Sequence, residues 1–170
     1  MSSIIRKLKV RQLSRAHHCI VRELRYKELK DVRSCLLVVK ANSASIADVH
    51  YLISQLPGVA FSILYWGKPS DPVVESEHLV YLQNHNLSLS GRIKHPYFEQ
   101  LMSSDYDLAI DLTFKDNDLI RFLLSQVRAG FIVGAENGCG MADMLLPSDQ
   151  DGSAFIDNLL EILKHLKTYY

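Results

Sequence analysis

The stretch YDLAIDLTFKDNDLIRFLLSQVRAGFIVG, residues Tyr106 to Gly134, decides the fold of this chain. Its first part, DLAIDL, is a short apolar run of the kind that forms a strand buried on both faces. DNDLIRFLLSQVRA follows with apolar residues at helical spacing, and FIVGAE is apolar again. Asp116 or Asn117 is placed to accept the first free N–H groups of the helix, and Gly130 stands where a left-handed glycine would end it. The stretch therefore predicts one complete strand, helix, strand unit.

The same alternation extends in both directions along the chain. The runs SCLLVVKA, VAFSILYW and ADMLLP have the apolar character of strands, whereas IADVHYLISQL and SAFIDNLLEILKHLKTYY have apolar residues at helical spacing. Ser45 and Asp48 have the spacing of a capping box at the start of the first of these helices. Such alternation predicts an α/β fold of the Rossmann or flavodoxin type, with a mainly parallel sheet and helices on both faces, as a single domain over residues 1–170.

The segment from Gly67 to Asp105 interrupts the alternation. A polar loop with two prolines runs to His78, after which the sequence predicts a short helix or turn ending at Gln83. A short extended piece at Leu87 to Leu89, a turn at Ser90 and Gly91, and a helical turn around residues 97–102 complete the expectation for this segment.

Residues 1–33 are predicted to form a basic amphipathic helix before the sheet. The apolar positions Ile5, Leu8, Leu13, Ala16, Ile20 and Leu24 lie close to one helical face. Nine Lys or Arg residues and only two Glu residues occur in the first thirty positions, so that segment carries +7 and the remainder −7. The segment is expected to dock on its own acidic body or remain solvated; contact with a protein partner, self-association, nucleic acid or an anionic membrane are the alternatives.

Composition excludes several classes of protein. No apolar run approaches the roughly 20 residues that cross a bilayer, and charges interrupt the N-terminus where a signal peptide would be apolar, so a cytoplasmic location is expected. The three cysteines are widely spaced and the seven histidines follow no ligand pattern, so no disulfide framework, metal site or cofactor is assigned. The turn GAENGCG lacks both the GxGxxG and the P-loop pattern, and no catalytic residue is assigned.

Polar residues nevertheless follow three of the predicted strands. Because ligands of open parallel sheets bind beyond the carboxyl ends of the strands, the candidate ligand-binding residues are Asn42, Ser43, Asp111, Thr113, Asp116, Asn117 and Glu136. Asp116 and Asn117 are expected to cap the helix that follows them, with ligand binding as the alternative role. Asp111 is expected to accept backbone N–H bonds, with a ligand contact or a general base as the alternative.

Two resemblances arise from these residues. Over nearly its full length, including YDLAIDLTFKDN, RAGFIVG and FIDNLLEILKHLKTY, the chain resembles a small bacterial family known only as a domain of unknown function. Residues 106–134 are also similar to the acceptor-side half of heptosyltransferase-like glycosyltransferases, in which a YDLVIDL-type strand precedes a helix and a strand ending in IG. That resemblance implies the fold. It does not imply the transferase reaction, because 170 residues are too few to include the second, nucleotide-sugar domain of those enzymes and the first loop reads KANSASIAD.

Two functional hypotheses therefore follow from the sequence. The absence of a catalytic constellation and the separately basic N-terminal segment favour a non-catalytic domain that acts through protein contacts or in regulation. The polar residues after the strands support the alternative, a small-molecule binding protein or enzyme that takes a nucleotide or a sugar.

Overall fold

The computed structural model describes residues 7–12, 20–41, 44–67, 75–90, 92–115, 117–138, 140–147 and 152–166. Helix α1 spans residues 7–12, and a short 3-10 helix spans Leu29–Asp31. The remaining helices are α2 (Ile46–Gln55), α3 (Phe98–Ser103), α4 (Asp118–Ser125) and α5 (Gly152–His165). The strands are β1 (Ser34–Lys40), β2 (Ala60–Trp66), β3 (Leu79–Leu82), β4 (Asp105–Leu112), β5 (Arg128–Ala135) and β6 (Met144–Leu146).

The six strands form one sheet in the order β3-β2-β1-β4-β5-β6, and every pairing between them is parallel. From β1 the chain builds outward to β2 and β3, and it then returns to the other side of β1 to add β4, β5 and β6. The strand order therefore reverses between β1 and β4, where the loops that follow the two strands diverge. This confirms the predicted Rossmann-like α/β fold.

Helices cover both faces of the sheet, which explains why the central strands are continuously apolar. On one face α2 and α5 bury Leu52 and Phe155 against β1 and β4, and on the other face α4 and α3 bury Leu123 and Leu101. The five residues Cys35 to Val39 in β1 are each fully buried. The core thus holds the ends of β1 and β4 in fixed positions.

Helix α1 packs on the same face as α3 and α4. Val10 is buried in that part of the core, while Leu8 on the same helix is about half exposed. The Nζ atom of Lys9 donates to the carbonyl oxygen of Asn84 at 3.1 Å. The apolar side of this short basic helix is therefore covered by its own domain at Val10.

The prediction of helix as far as Leu24 is wrong, because residues 20–28 form neither a helix nor a strand. These residues, here called the N-terminal strap, run beside the first half of β5. The amide of Ile20 donates to the carbonyl of Ser125 at 2.9 Å, and Arg22 pairs with Asp143 at 2.5 Å. Asp143 itself accepts the amide of Ile132 at 2.8 Å. The strap and Asp143 thus cover the edge of β5 that the short β6 leaves open.

The prediction that Gly130 ends α4 in a left-handed conformation is also wrong. Helix α4 ends at Ser125, Gly130 lies inside β5, and its φ angle is not positive. A Cβ atom at this position would lie 2.6 Å from the carbonyl oxygen of Arg25 in the strap. Glycine is required here because another backbone approaches closely.

The prediction of a helix or turn before Gln83 is wrong as well, because Leu79–Leu82 is strand β3. The carboxylate of Glu75 accepts the outward amide of Tyr81 at 3.2 Å and lies 3.0 Å from Nε2 of His95. The side chain of Glu75 therefore covers the free edge of β3, a strand that the sequence did not predict. Helix α3 confirms the helical turn predicted nearby.

Candidate functional site at the carboxyl ends of the strands

The candidate site lies at the end of β4, next to the point where the strand order reverses. The sequence named seven residues for this edge of the sheet, and four of them lie within the described part of the chain: Asp111, Thr113, Asn117 and Glu136. Asn42, Ser43 and Asp116 lie outside the described residues. The structure brings Asp111 and Thr113 into direct contact and places Glu136 after the neighbouring strand.

Asp111 is a buried carboxylate in the sheet, with only 2% of its surface exposed. It lies beside Val38 of β1 and Gly134 of β5 in the strand register. Its Oδ1 atom accepts the amide of Thr113 at 3.0 Å. This contact confirms the expectation that Asp111 accepts a backbone N–H, and it holds the carboxylate at the end of β4.

The chain after β5 folds over that carboxylate because glycines leave room for it. A Cβ atom on Gly138 would lie 3.4 Å from Oδ2 of Asp111 and 2.8 Å from the carbonyl oxygen of Ala135. A Cβ atom on Gly134 would lie 3.3 Å from both the Cβ of Asp111 and the Cβ of Ala142. The glycines of the GAENGCG turn therefore allow close packing around Asp111.

Thr113 is fully buried, yet its hydroxyl oxygen has no hydrogen-bond partner. Among the described residues it is the only buried side-chain nitrogen or oxygen in this condition. Threonine offers one donor and two acceptor lone pairs, and buried polar groups in native proteins are rarely left without a partner. The amide of Thr113 donates to Oδ1 of Asp111. The unsatisfied hydroxyl thus belongs to a residue whose backbone contacts a buried carboxylate.

Backbone strain marks the next residue. Phe114 has a φ of 51°, and it is the only non-glycine residue with positive φ in the described part of the chain. Bulky residues are rarely found in this conformation, which costs about 1–3 kcal/mol. The ring of Phe114 packs edge-on against Phe155 of α5, with 5.1 Å between the ring centroids. This aromatic contact holds the turn after β4 in its strained form.

The start of α2 is closed by the protein's own carboxylate. Ser45 accepts the amide of Asp48 at 3.1 Å, and Asp48 accepts the amide of Ser45 at 2.8 Å, which confirms the predicted capping box. A Cβ atom on Gly152, the first residue of α5, would lie 2.8 Å from Oδ2 of Asp48. The carboxylate therefore lies between the amino ends of two helices.

The start of α4 is capped as well. The side chain of Asn117 accepts the amide of Leu119 at 2.9 Å, so the capping role predicted for Asn117 is confirmed. Asp118 adds a negative charge to the first turn. Lys115, just before this helix, and Glu136, just after β5, are exposed and carry charges of opposite sign.

Metal and thiol chemistry find no support in the part of the chain that the structure describes. No group of three or more His, Cys, Asp or Glu side chains there is arranged to hold a metal ion. Cys35 is fully buried in β1, and burial, followed by the charge of Asp107, raises the pKa of its thiol far above the ordinary value. Cys19 and Cys139 lie outside the described residues. No described helix is long and apolar enough to cross a membrane.

A sizeable cavity lined by described residues lies at the opposite edge of the sheet. It has a volume of about 610 Å³ and lies under the strap at the amino ends of β4 and β5, where Arg22, Arg25, Lys27, Asp107 and Arg128 contribute to its lining. Most of these charges already pair within the protein: Arg22 with Asp143, Arg25 with Glu23, and Lys27 with Asp107. We therefore place the candidate site at the carboxyl edge, where a polar group lacks a partner.

Sequence reasoning missed two features of this region. The meeting of Asp48 with the start of α5 depends on packing between distant helices, which no local pattern reveals. The strain at Phe114 had no signal either, because glycine or asparagine usually marks a positive φ.

Comparison with known proteins identifies the family. The chain belongs to the family of unknown function DUF6913, whose model matches residues 6–166. No curated protein and no solved structure matches the chain. The resemblance to heptosyltransferase-like enzymes therefore stays a prediction from the sequence.

Proposed function

We propose that this member of the DUF6913 family is a binding protein for a small polar metabolite, held at the carboxyl end of β4. The observation that carries the proposal is the hydroxyl of Thr113, which is fully buried and without a hydrogen-bond partner. A ligand that enters beside Asp111 would supply that partner.

The unpartnered hydroxyl of Thr113 has an energetic cost in the ligand-free protein. A buried polar group without a partner costs about 1–3 kcal/mol. Valine has nearly the same shape as threonine and would avoid this cost, so the hydroxyl lowers the stability of the free protein. Such a cost is typical of a binding site, because the missing hydrogen bond forms only when the ligand arrives.

The surroundings of Thr113 support the same proposal. The site lies where the strand order reverses, the usual ligand position in open α/β sheets. Asp111 and Thr113 are buried and would form the floor, while Lys115 and Glu136 are exposed and would form the rim. The strained turn at Phe114 connects the buried residue Thr113 to the exposed residue Lys115. The similarity of residues 106–134 to the acceptor-side half of a glycosyltransferase supports sugars among the candidate ligands.

A thermal-shift screen of three proteins tests the proposal. The wild type, Thr113→Val and Thr113→Ser are each screened against monosaccharides, amino alcohols, sugar phosphates, nucleotides and nucleotide sugars. A ligand at about 100 times its Kd adds roughly 2.7 kcal/mol to stability. We expect at least one compound to stabilise the wild type and Thr113→Ser, which keeps a hydroxyl, but not Thr113→Val. The absence of any such compound, or an equal shift in all three proteins, would contradict the proposal.

A second function, protein contact through the strap, is favoured by a different observation. Val21 is 98% exposed and Leu24 is 61% exposed, although both are large apolar side chains on the strap. The proposed partner is a second copy of this chain. Sedimentation velocity should then show association that increases with concentration, and the double variant Val21→Ser, Leu24→Ser should abolish it. Leu89→Ser, at a similarly exposed leucine outside the strap, is the matched control. A wild type that remains monomeric at all concentrations would exclude self-association.

A further inference from the structure

Phosphate groups in open α/β sheets usually bind at the amino end of a helix that follows a strand. The free N–H groups and the positive end of the helix dipole attract the anion there. In this fold the first candidate is the start of α2, which follows the central strand β1.

The position is taken by Asp48. Its carboxylate accepts the amide of Ser45 at 2.8 Å and the hydroxyl of Ser45 at 2.7 Å. In return, the hydroxyl oxygen of Ser45 accepts the amide of Asp48. A negative charge from the protein therefore already lies at the start of α2, where it takes the amide and the hydroxyl of Ser45.

Helix α5 closes the same position from the other side. Gly152 is buried, and even a Cβ atom on it would lie 2.8 Å from Oδ2 of Asp48. The carboxylate thus has the positive ends of two helix dipoles near it. A second anion would have to displace it or lie against its charge.

The other side chains at the carboxyl ends of the strands also favour a ligand with hydrogen-bond donors over a ligand with a negative charge. Asp111 presents a buried carboxylate, Asp118 occupies the first turn of α4, and Glu136 is exposed after β5. The unpartnered oxygen of Thr113 can accept as well as donate. A hydroxyl or amino group on a ligand can donate to the oxygen of Thr113 and to the exposed carboxylate of Glu136, whereas a phosphate would be repelled by the negative charges at this edge.

We propose that Asp48 is a specificity-determining residue that excludes phosphate, so that the ligand at Thr113 is an unphosphorylated metabolite recognised through hydroxyl or amino groups. This inference rests on the proposed binding function for the identity of the site, and it narrows the candidate ligands to sugars, polyols and amino alcohols. Nucleotides and sugar phosphates are excluded.

Isothermal titration with inorganic pyrophosphate tests the role of Asp48 without knowledge of the ligand. The titration compares the wild type with Asp48→Ser at low ionic strength. Glu161→Ser is the matched control, because it removes one exposed negative charge from α5 away from the helix start. Asp48→Asn is the second variant, because it removes the charge and keeps an acceptor for the amide of Ser45, which protects the fold.

Removal of the carboxylate should open the helix start. We expect pyrophosphate to bind Asp48→Ser at least about tenfold more tightly than the wild type, with a smaller gain for Asp48→Asn and none for Glu161→Ser. Tight pyrophosphate binding by the wild type, or equal affinity in folded Asp48→Asn and wild type, would overturn the proposal.

The ligand screen separates this inference from the function on which it rests. Suppose that every compound whose stabilising effect is lost in Thr113→Val carries a phosphate. That result would leave the binding function intact and contradict the role of Asp48. If no compound has a stabilising effect that requires Thr113, the binding function is contradicted. The pyrophosphate titration would still decide whether Asp48 excludes phosphate.

Discussion

The amide of Arg25 in the strap donates a hydrogen bond to the carbonyl oxygen of Gly130 at 2.8 Å, and the two backbones are too close for a side chain at position 130. Gly130→Ala should therefore displace the strap and lower the free energy of unfolding by about 1–3 kcal/mol. Chemical denaturation measures the loss, and hydrogen exchange should show a less protected Arg25 amide. Unchanged stability together with unchanged protection would contradict the close approach.

Stability should fall in acid because of Asp107, which anchors the strap. Burial alone would raise the pKa of Asp107, but hydrogen bonds from Lys27 and from the amides of Arg33 and Ser34 outweigh it and lower that pKa below its ordinary value. Because the folded-state pKa lies below the unfolded one, this contribution is present above about pH 4 and is lost as the pH falls through the folded-state value.

Denaturation curves across the acid range test this assignment. Asp107→Asn should be less stable than the wild type at neutral pH, and the difference should shrink as the pH falls below about 4. Asp105→Asn, the same change at an exposed position on the same strand, is the control. A constant difference between Asp107→Asn and the wild type at every pH would show that the charge of Asp107 contributes nothing.

Helix α1 should stabilise the domain through Val10. Val10→Ala removes two buried methyl groups and should cost about 1–3 kcal/mol. Leu8→Ala, on the exposed side of the same helix, should change stability by no more than about 0.5 kcal/mol. Equal effects of the two substitutions in urea denaturation would mean that the helix does not pack on the sheet in solution.

Cys35 should be chemically inert in the folded protein. Burial in β1 excludes reagents and raises the pKa of its thiol, so little thiolate forms. In a variant with Cys19→Ser and Cys139→Ser, Ellman's reagent should detect no thiol until guanidinium chloride is added. Rapid reaction without denaturant would contradict the burial of β1.

The central strands and most helices could be predicted from the sequence because their signals are local. The continuous apolar run at β1 and the capping box of Ser45 and Asp48 each depend on a few neighbouring residues, and the structure has both. Strand β3 was missed because four apolar residues fit a helical turn equally well, and because the side chain that caps its edge, Glu75, lies outside the run.

The other errors arise from contacts between distant parts of the chain. Gly130 looks like a helix end until the strap is seen against it, and Leu24 fits a helical face although the strap forms no helix. In the site, the buried strand end predicted the position of Asp111. The missing partner of Thr113 depends on how several loops pack, so no pattern in the sequence could reveal it.

The most direct test of the central claim is the unfolding free energy of Thr113→Val without any ligand. A buried hydroxyl that has no partner lowers the stability of the free protein, so we predict that this variant is more stable than the wild type by about 1–3 kcal/mol. Ser125→Ala is the control, because the buried Ser125 hydroxyl donates to the carbonyl of Phe122 at 2.7 Å and its loss should cost about 1 kcal/mol. A similar loss in Thr113→Val would show that the hydroxyl has a partner within the protein and would contradict the account.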